Sequence, residues 1–158
     1  MPGNRTDADP PFRRGVKAQQ RGDRPQAITE YQSALQSDPA FFNAYYNLGL
    51  AALDTGNFGL ALAAYETALV LNSDSVDARY NFALSLKGAG FYPDAAEQLG
   101  RIVATVPDDA RAHLALANLN AQQLRQNAIA REHYLKVLEL NPRHPEAIRI
   151  RFWLAANP

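Results

Sequence analysis

The sequence predicts an all-α protein built from stacked pairs of short helices, and three observations carry that prediction. Ala27, Ala61 and Ala95 stand 34 residues apart. Gly22, Gly56 and Gly90 keep the same step, as do Tyr31 and Tyr65. Between the glycines, apolar side chains recur every three or four residues, the signature of one helical face. A fixed period of this length means one helical hairpin per repeat, and such hairpins bury their faces only by stacking on neighbours.

The elements follow in order. Residues 1–9 read as a flexible polar lead-in. The first unit, about 8–41, runs through Phe12, Gly15, Ala18, Gly22, Ala27, Tyr31, Ala34 and Pro39; Pro11 and Arg14 fall where apolar residues are expected, which predicts a late or frayed start. The second, 42–75, has a helix over Asn43–Thr55 with Tyr45, Leu48, Gly49 and Ala52 inward. Gly56 ends that helix in the left-handed conformation. A second helix over Phe58–Leu71 turns Ala61, Leu62, Tyr65, Ala68, Leu69 and Leu71 inward. The third, 76–109, repeats the design with Tyr80, Phe82, Ala83 and Leu86, then Ala95, Leu99, Ile102 and Val103, closed by Pro107. The fourth, 110–144, carries Leu116, Ala117, Ala130, Tyr134, Val137 and Pro142, one residue longer than the period. Its tip, 122–127, lacks glycine, which predicts a looser connection with Asn127 as helix starter. A last helix spans 145–156; its pattern places Ile148, Phe152 and Ala155 inward and leaves Ile150, Trp153 and Leu154 outward.

Small residues at 15, 49, 83 and 117, and at 27, 61, 95 and 130, let paired backbones approach closely. The run Tyr45-Tyr46-Asn47-Leu48-Gly49, followed by Gly56-Asn57-Phe58, Ala61, Tyr65 and Ala68-Leu69, resembles the tetratricopeptide repeat family over about residues 8–142. Ser73 and Leu99 depart from its pattern. The resemblance implies a right-handed α-α superhelix of four hairpins plus a capping helix, forming a single domain over 1–158, and a concave groove that holds a peptide.

At 100° per residue, the face opposite the packed one carries Arg13 in the first repeat. In the second it carries Asn43, Asn47 and Leu50, flanked by Tyr46. In the third it carries Asp77, Asn81 and Leu84, flanked by Tyr80. In the fourth it carries Arg111 and Asn118, flanked by Leu114. Amides beside aromatic rings suit capture of a peptide backbone. Some relatives of that family clamp a chaperone's C-terminal carboxylate with cationic side chains. Here the corresponding positions hold Phe12, Val16, Asn47, Asp77 and Asn81, or Tyr46, Leu50, Asn81, Arg111 and Ala115, which argues against that activity.

Composition sets the remaining bounds. With 16 basic and 16 acidic residues the net charge is zero, unlike a general nucleic-acid binder. Residues 36–110 hold three basic and nine acidic side chains, a net −6 that favours a neutral or basic partner. The basic stretch Arg13, Arg14, Lys17, Arg21 and Arg24 reads as a solvated helix face. There is no cysteine, so no disulfide or thiolate site. His113, His133 and His144 lack helical metal spacing, and His113 falls at a core position. Gly88-Ala89-Gly90 follows no strand, so it is no phosphate loop. No segment approaches the ~20 apolar residues of a membrane span.

These observations point to a non-catalytic scaffold binding a partner's peptide, without cofactor, metal or nucleic acid. The alternative is an assembly module forming homo-oligomers through Ile150, Trp153 and Leu154; a repeat-bearing piece of an enzyme or RNA-binding protein ranks third. Arg exceeds Lys by 13 to 3, which suggests a bacterial source. The expected compartment is the cytoplasm, or the periplasm should the chain be a fragment with a targeting segment upstream.

Overall fold

The computed structural model describes residues 3–158, and these contain α-helices, one π turn and no strand. They fall into two compact units, Met1–Gly90 and Phe91–Pro158.

In the first unit, α1 (Arg5–Gln20) pairs with α2 (Arg24–Ser37), and α3 (Phe42–Asp54) with α4 (Phe58–Leu71). The last helix, α5 (Val76–Gly88), packs on α4. The second helix of each hairpin starts on a side-chain cap, Asp23 accepting from the Gln26 N–H and Asn57 from that of Leu60. Gly22 and Gly56 sit at φ 77° and 73°, the left-handed turn between the paired helices of each hairpin, and Gly90, which follows α5, is left-handed too at φ 87°.

Close approach explains the small residues. A Cβ on Gly15 would lie 2.6 Å from the Tyr31 ring, and one on Gly49 would lie 2.7 Å from that of Tyr65. Each tyrosine is fully buried in the hollow that its glycine leaves. Burying a ring of this size contributes about 2–3 kcal/mol. Phe12 extends the first core, 5.8 Å from Tyr31 and 4.6 Å from Phe41 between ring centroids.

The start of the chain differs from expectation. Residues 3–4 precede α1, and from Arg5 onward the expected lead-in is helical despite Pro10 and Pro11. Prolines deep in a helix remove hydrogen bonds; tertiary anchors offset that loss. Asn4 caps the Thr6 and Asp7 amides, and its own N–H donates to the Ser37 carbonyl at 2.8 Å. Arg5 pairs with Asp38 at 2.5 Å and lies 3.7 Å over the Phe41 ring. Pro11 is buried in the hairpin rather than interrupting it.

In the second unit, α6 (Tyr92–Thr105) packs on α7 (Ala110–Leu119), which pairs with α8 (Asn127–Leu140); α9 (Ala147–Ala156) lies against α8. Helix α6 begins at Phe91 with no side-chain cap. The longer fourth tip is ordered: α7 runs on into a π turn over Asn120–Leu124, and Arg125 takes the left-handed conformation at φ 55°. Asn127 is the first residue of α8 rather than its cap, a position held by Gln126. The core gathers Ala117, Ala130, Tyr134, Val137 and Ile150, with the Trp153 ring tilted against that of Tyr134 at 4.9 Å between centroids.

Candidate functional site

Within the first unit, α1, α3 and α5 lie side by side and carry the predicted face. Arg13, Asn43 and Asp77 are exposed there. Tyr46, Asn47, Leu50, Tyr80, Asn81 and Leu84 are half-buried. The Asn81 amide donates to the Tyr46 hydroxyl at 3.2 Å, tying α5 to α3 across a repeat boundary. Tyr46 stacks with Phe42 at 6.1 Å and meets Tyr65 edge-on at 6.0 Å.

Beneath this face the repeated tyrosines have different surroundings. Tyr31 donates to Gln19 at 2.6 Å. Burial pushes its phenol up to about 12, against a smaller downward pull from a hydrogen bond with Asn47. Tyr65 has Leu53 where Tyr31 has Gln19, and its buried hydroxyl has no hydrogen-bond partner. Burial, reinforced by Tyr46 and Asp54, raises its pKa further. All these phenols therefore stay protonated, and Tyr65 bears the cost of an unmade bond.

The charges of the first unit are largely paired. Arg13 meets Asp9 at 2.6 Å, Arg14 meets Glu30 at 2.8 Å and Arg24 meets Asp54 at 3.2 Å. The basic stretch is thus interleaved with carboxylates on its own and neighbouring helices.

The second unit carries three further residues predicted for that face. Arg111 is exposed and paired with Asp109 at 3.0 Å. Leu114 packs against the α7–α8 core. The Asn118 carbonyl accepts from the Tyr134 hydroxyl at 2.7 Å and from Arg149 at 3.0 Å. Asn118 is thus committed to holding α9 as well as facing outward.

The predicted faces of α9 are reversed. Ile150 is fully buried, and Trp153 and Leu154 pack against the core with it. The exposed apolar residues of this helix are Ile148 and Phe152. Ala147, Ile150 and Trp153 recur every third residue, which turns that side of α9 onto α8. The expected oligomer surface of Ile150, Trp153 and Leu154 is therefore corrected: these residues hold α9 in place.

Sequence reading also missed a histidine pair. His113 is buried, as its core position requires, and its Nδ1 lies 2.9 Å from His133 Nδ1. His113 Nε2 lies 2.8 Å from the Pro107 carbonyl, which can only accept. The proton of His113 therefore sits on Nε2, and His133 donates from Nδ1. Burial and the neighbouring His113 hold the His133 pKa below its ordinary 6.5, with Glu132 pulling weakly the other way. The pair lines a cavity of about 490 Å³ with Val103, Pro107, Lys136 and Glu139. The search for i, i+4 spacing within one helix could not find it; pairing facing positions of consecutive helices would have. Among the described residues no three His, Cys, Asp or Glu side chains are grouped to hold a metal. No helix among them is long and apolar enough to cross a membrane.

Comparison with known proteins adds the following. Three sequence models described as tetratricopeptide repeat match residues 12–76, 52–119 and 110–144. Superkiller complex protein 3 of Homo sapiens is 33% identical over 92 residues, which is 58% of this chain and 6% of that protein. The tetratricopeptide repeat and J domain-containing co-chaperone DNJ1 of Cryptococcus neoformans is 28% identical over 135 residues, 79% of this chain and 26% of that protein. The chain thus spans a small part of the length of these curated relatives. Among solved structures, MamA 41-end from Desulfovibrio magneticus RS-1 is similar at a TM-score of 0.82 and 25% identity, covering 87% of this chain and 77% of that one. The first repeat domain of Spaghetti (RPAP3), solved bound to the HSP90 peptide SRMEEVD, gives 0.72 at 18% identity, covering 77% and 96%.

Proposed function

The chain belongs to the tetratricopeptide repeat family, a family of protein-interaction scaffolds, and from that premise we propose that the face of α1, α3 and α5 binds an extended peptide segment of a partner protein. One observation carries the reading. Asn47 and Asn81 recur one period apart on adjacent helices, half-exposed, each with a tyrosine beside it. Amides at this spacing can meet a peptide backbone from two helices, while Tyr46, Leu50, Tyr80 and Leu84 supply contact area for its side chains. The surface acts by holding, without catalysis or cofactor.

The peptide is neutral or basic. Asp77 stands on the face, and the positions matching a carboxylate clamp hold Phe12, Val16, Asn47 and Asn81 beside it. The peptide named with Spaghetti (RPAP3) is acidic, and its like is disfavoured here by that aspartate.

Selection from a random peptide library on the intact chain, followed by fluorescence anisotropy on the enriched peptides, tests this. The Asn47→Ala/Asn81→Ala variant should weaken binding at least ~10-fold, and Asp77→Lys should shift the preference toward acidic peptides. Enriched peptides whose affinity is unchanged in both variants, with folding intact by circular dichroism, would place binding elsewhere.

A further inference from the structure

We infer that the cavity of about 490 Å³ lined by residues of α6, α7 and α8 is a socket for an arginine side chain of a partner protein. It lies within the second unit and shares no residue with the predicted peptide-binding face. A run of hydrogen bonds fixes what its histidines offer. The Pro107 carbonyl can only accept, so it takes the His113 Nε2 proton. His113 Nδ1 is then an acceptor, and His133 donates to it from its own Nδ1. That leaves a lone pair on His133 Nε2. Burial keeps this ring neutral near pH 7, so the lone pair is not lost to a proton. No group among the described residues bonds that nitrogen, and it is not an enclosed unpaired atom of the kind the Tyr65 hydroxyl is. It therefore opens into the cavity that its ring lines.

Beside it stands Glu132, which also lines the cavity. Its carboxylate is exposed and has no ion pair or hydrogen bond among the described residues. The remaining charges are already matched, with Lys136 at 2.9 Å from Glu139 and 3.7 Å from Asp108. One ammonium between two carboxylates leaves no cation over for an anionic guest, whereas Glu132 leaves a negative charge for a cationic one. Two free acceptors in one cavity call for a guest whose head only donates. The walls narrow it further. Val103, Pro107 and Leu135 are apolar, so the guest needs an apolar stem behind its charge. Arginine has one, and its planar guanidinium fork is less strongly hydrated than the ammonium of lysine. One guanidinium has donors enough for His133 Nε2 and Glu132 together. The mouth lies at the surface, among the exposed Glu132, Leu135 and Glu139, so a side chain still attached to its own backbone can enter. A metal ion fits less well, since no three ligating side chains are grouped among the described residues.

The test uses the intact chain, short alanine peptides with one central residue, and the nitrogen-15 signals of the histidine rings. The arginine peptide should move the His133 Nε2 signal and bind at least ~10-fold more tightly than its citrulline counterpart, which keeps the shape and loses the charge. Glu132→Gln should weaken the arginine peptide by about 10-fold and leave the citrulline peptide unchanged. Glu132 is exposed, so this variant should keep the wild-type circular dichroism and melting temperature. The Asn47→Ala/Asn81→Ala variant should bind the arginine peptide normally, which separates this site from the peptide-binding face. Free arginine should bind no more tightly than the peptide. Five results would overturn the inference: arginine and citrulline peptides binding alike, Glu132→Gln without effect, signals that move elsewhere but not at His133, free arginine binding better than the peptide, or zinc ions moving the His133 signal where no arginine probe does.

Discussion

Replacing Gly49 with alanine tests the packing logic of the whole repeat. A Cβ there would lie 2.7, 2.8 and 2.8 Å from three atoms of the Tyr65 ring. Ordinary contact begins near ~3.4 Å, so the ring would have to retreat by about 0.7 Å. It is fully buried and has Tyr46 edge-on at 6.0 Å, so there is little room to do so. Overpacking of this kind costs about 1–3 kcal/mol. Alanine also favours a helix over glycine by roughly 0.5–1 kcal/mol, which masks part of the cost. Gly59, on the next helix of the same unit, supplies the control, because a Cβ there meets nothing within 4 Å. Gly59→Ala should be neutral or gain about 0.5 kcal/mol. The two variants should therefore differ by about 2 kcal/mol, or roughly 1 M in urea midpoint at an m-value near ~2 kcal/mol/M. Urea titrations followed by circular dichroism measure this. A Gly49→Ala protein as stable as Gly59→Ala would refute the claim that close helix approach, rather than chain flexibility, fixes the small residues.

Tyr65→Phe removes a buried hydroxyl that has no partner, so the variant should be unchanged or gain about 1 kcal/mol, whereas Tyr31→Phe should lose about 1 kcal/mol by stranding its partner Gln19; paired urea titrations compare them. Phe91 stands 34 residues after the cap Asn57 but caps nothing, so Phe91→Asn should stabilise α6 by about 1 kcal/mol in the same assay. The His133 pKa is depressed in the folded chain, so the unfolded chain binds its proton first. The stability this depression contributes is fully present above the unfolded value of 6.5 and is lost as pH falls through the folded value. Urea midpoints from pH 7.5 to 5 should therefore decline more steeply for the wild type than for His133→Gln; parallel slopes would contradict the assignment.

The hairpins were legible because a stacked repeat writes its packing into the chain at a constant interval. Ala27, Ala61 and Ala95 sit at close approaches in both units, and all are buried. Features absent from the period were not legible. The prolines at 10 and 11 argue locally against a helix, and only the distant anchors Ser37, Asp38 and Phe41 overcome them. The orientation of α9 was misread because apolar residues lie on both its sides, so periodicity alone could not choose between them. Packing of Ile150 and Trp153 on Tyr134 and its neighbours decides it. The face bearing Asn47 and Asn81 was readable from helical geometry, but the hydrogen bond from Asn81 to Tyr46 and the unpartnered hydroxyl of Tyr65 depend on side-chain conformations that no spacing encodes.

The fourth hairpin accommodates its extra residue at the corner, where a single widened turn and a left-handed arginine return α8 to the phase of its predecessors. Tyr134 and Ala130 consequently meet α7 as though nothing had been inserted. Growth or trimming of the chain at such a corner is mechanically insulated from the packing on either side. Helix tips are therefore where a lineage can vary length, or an engineer can splice a tag, while the stacked interior keeps its alignment.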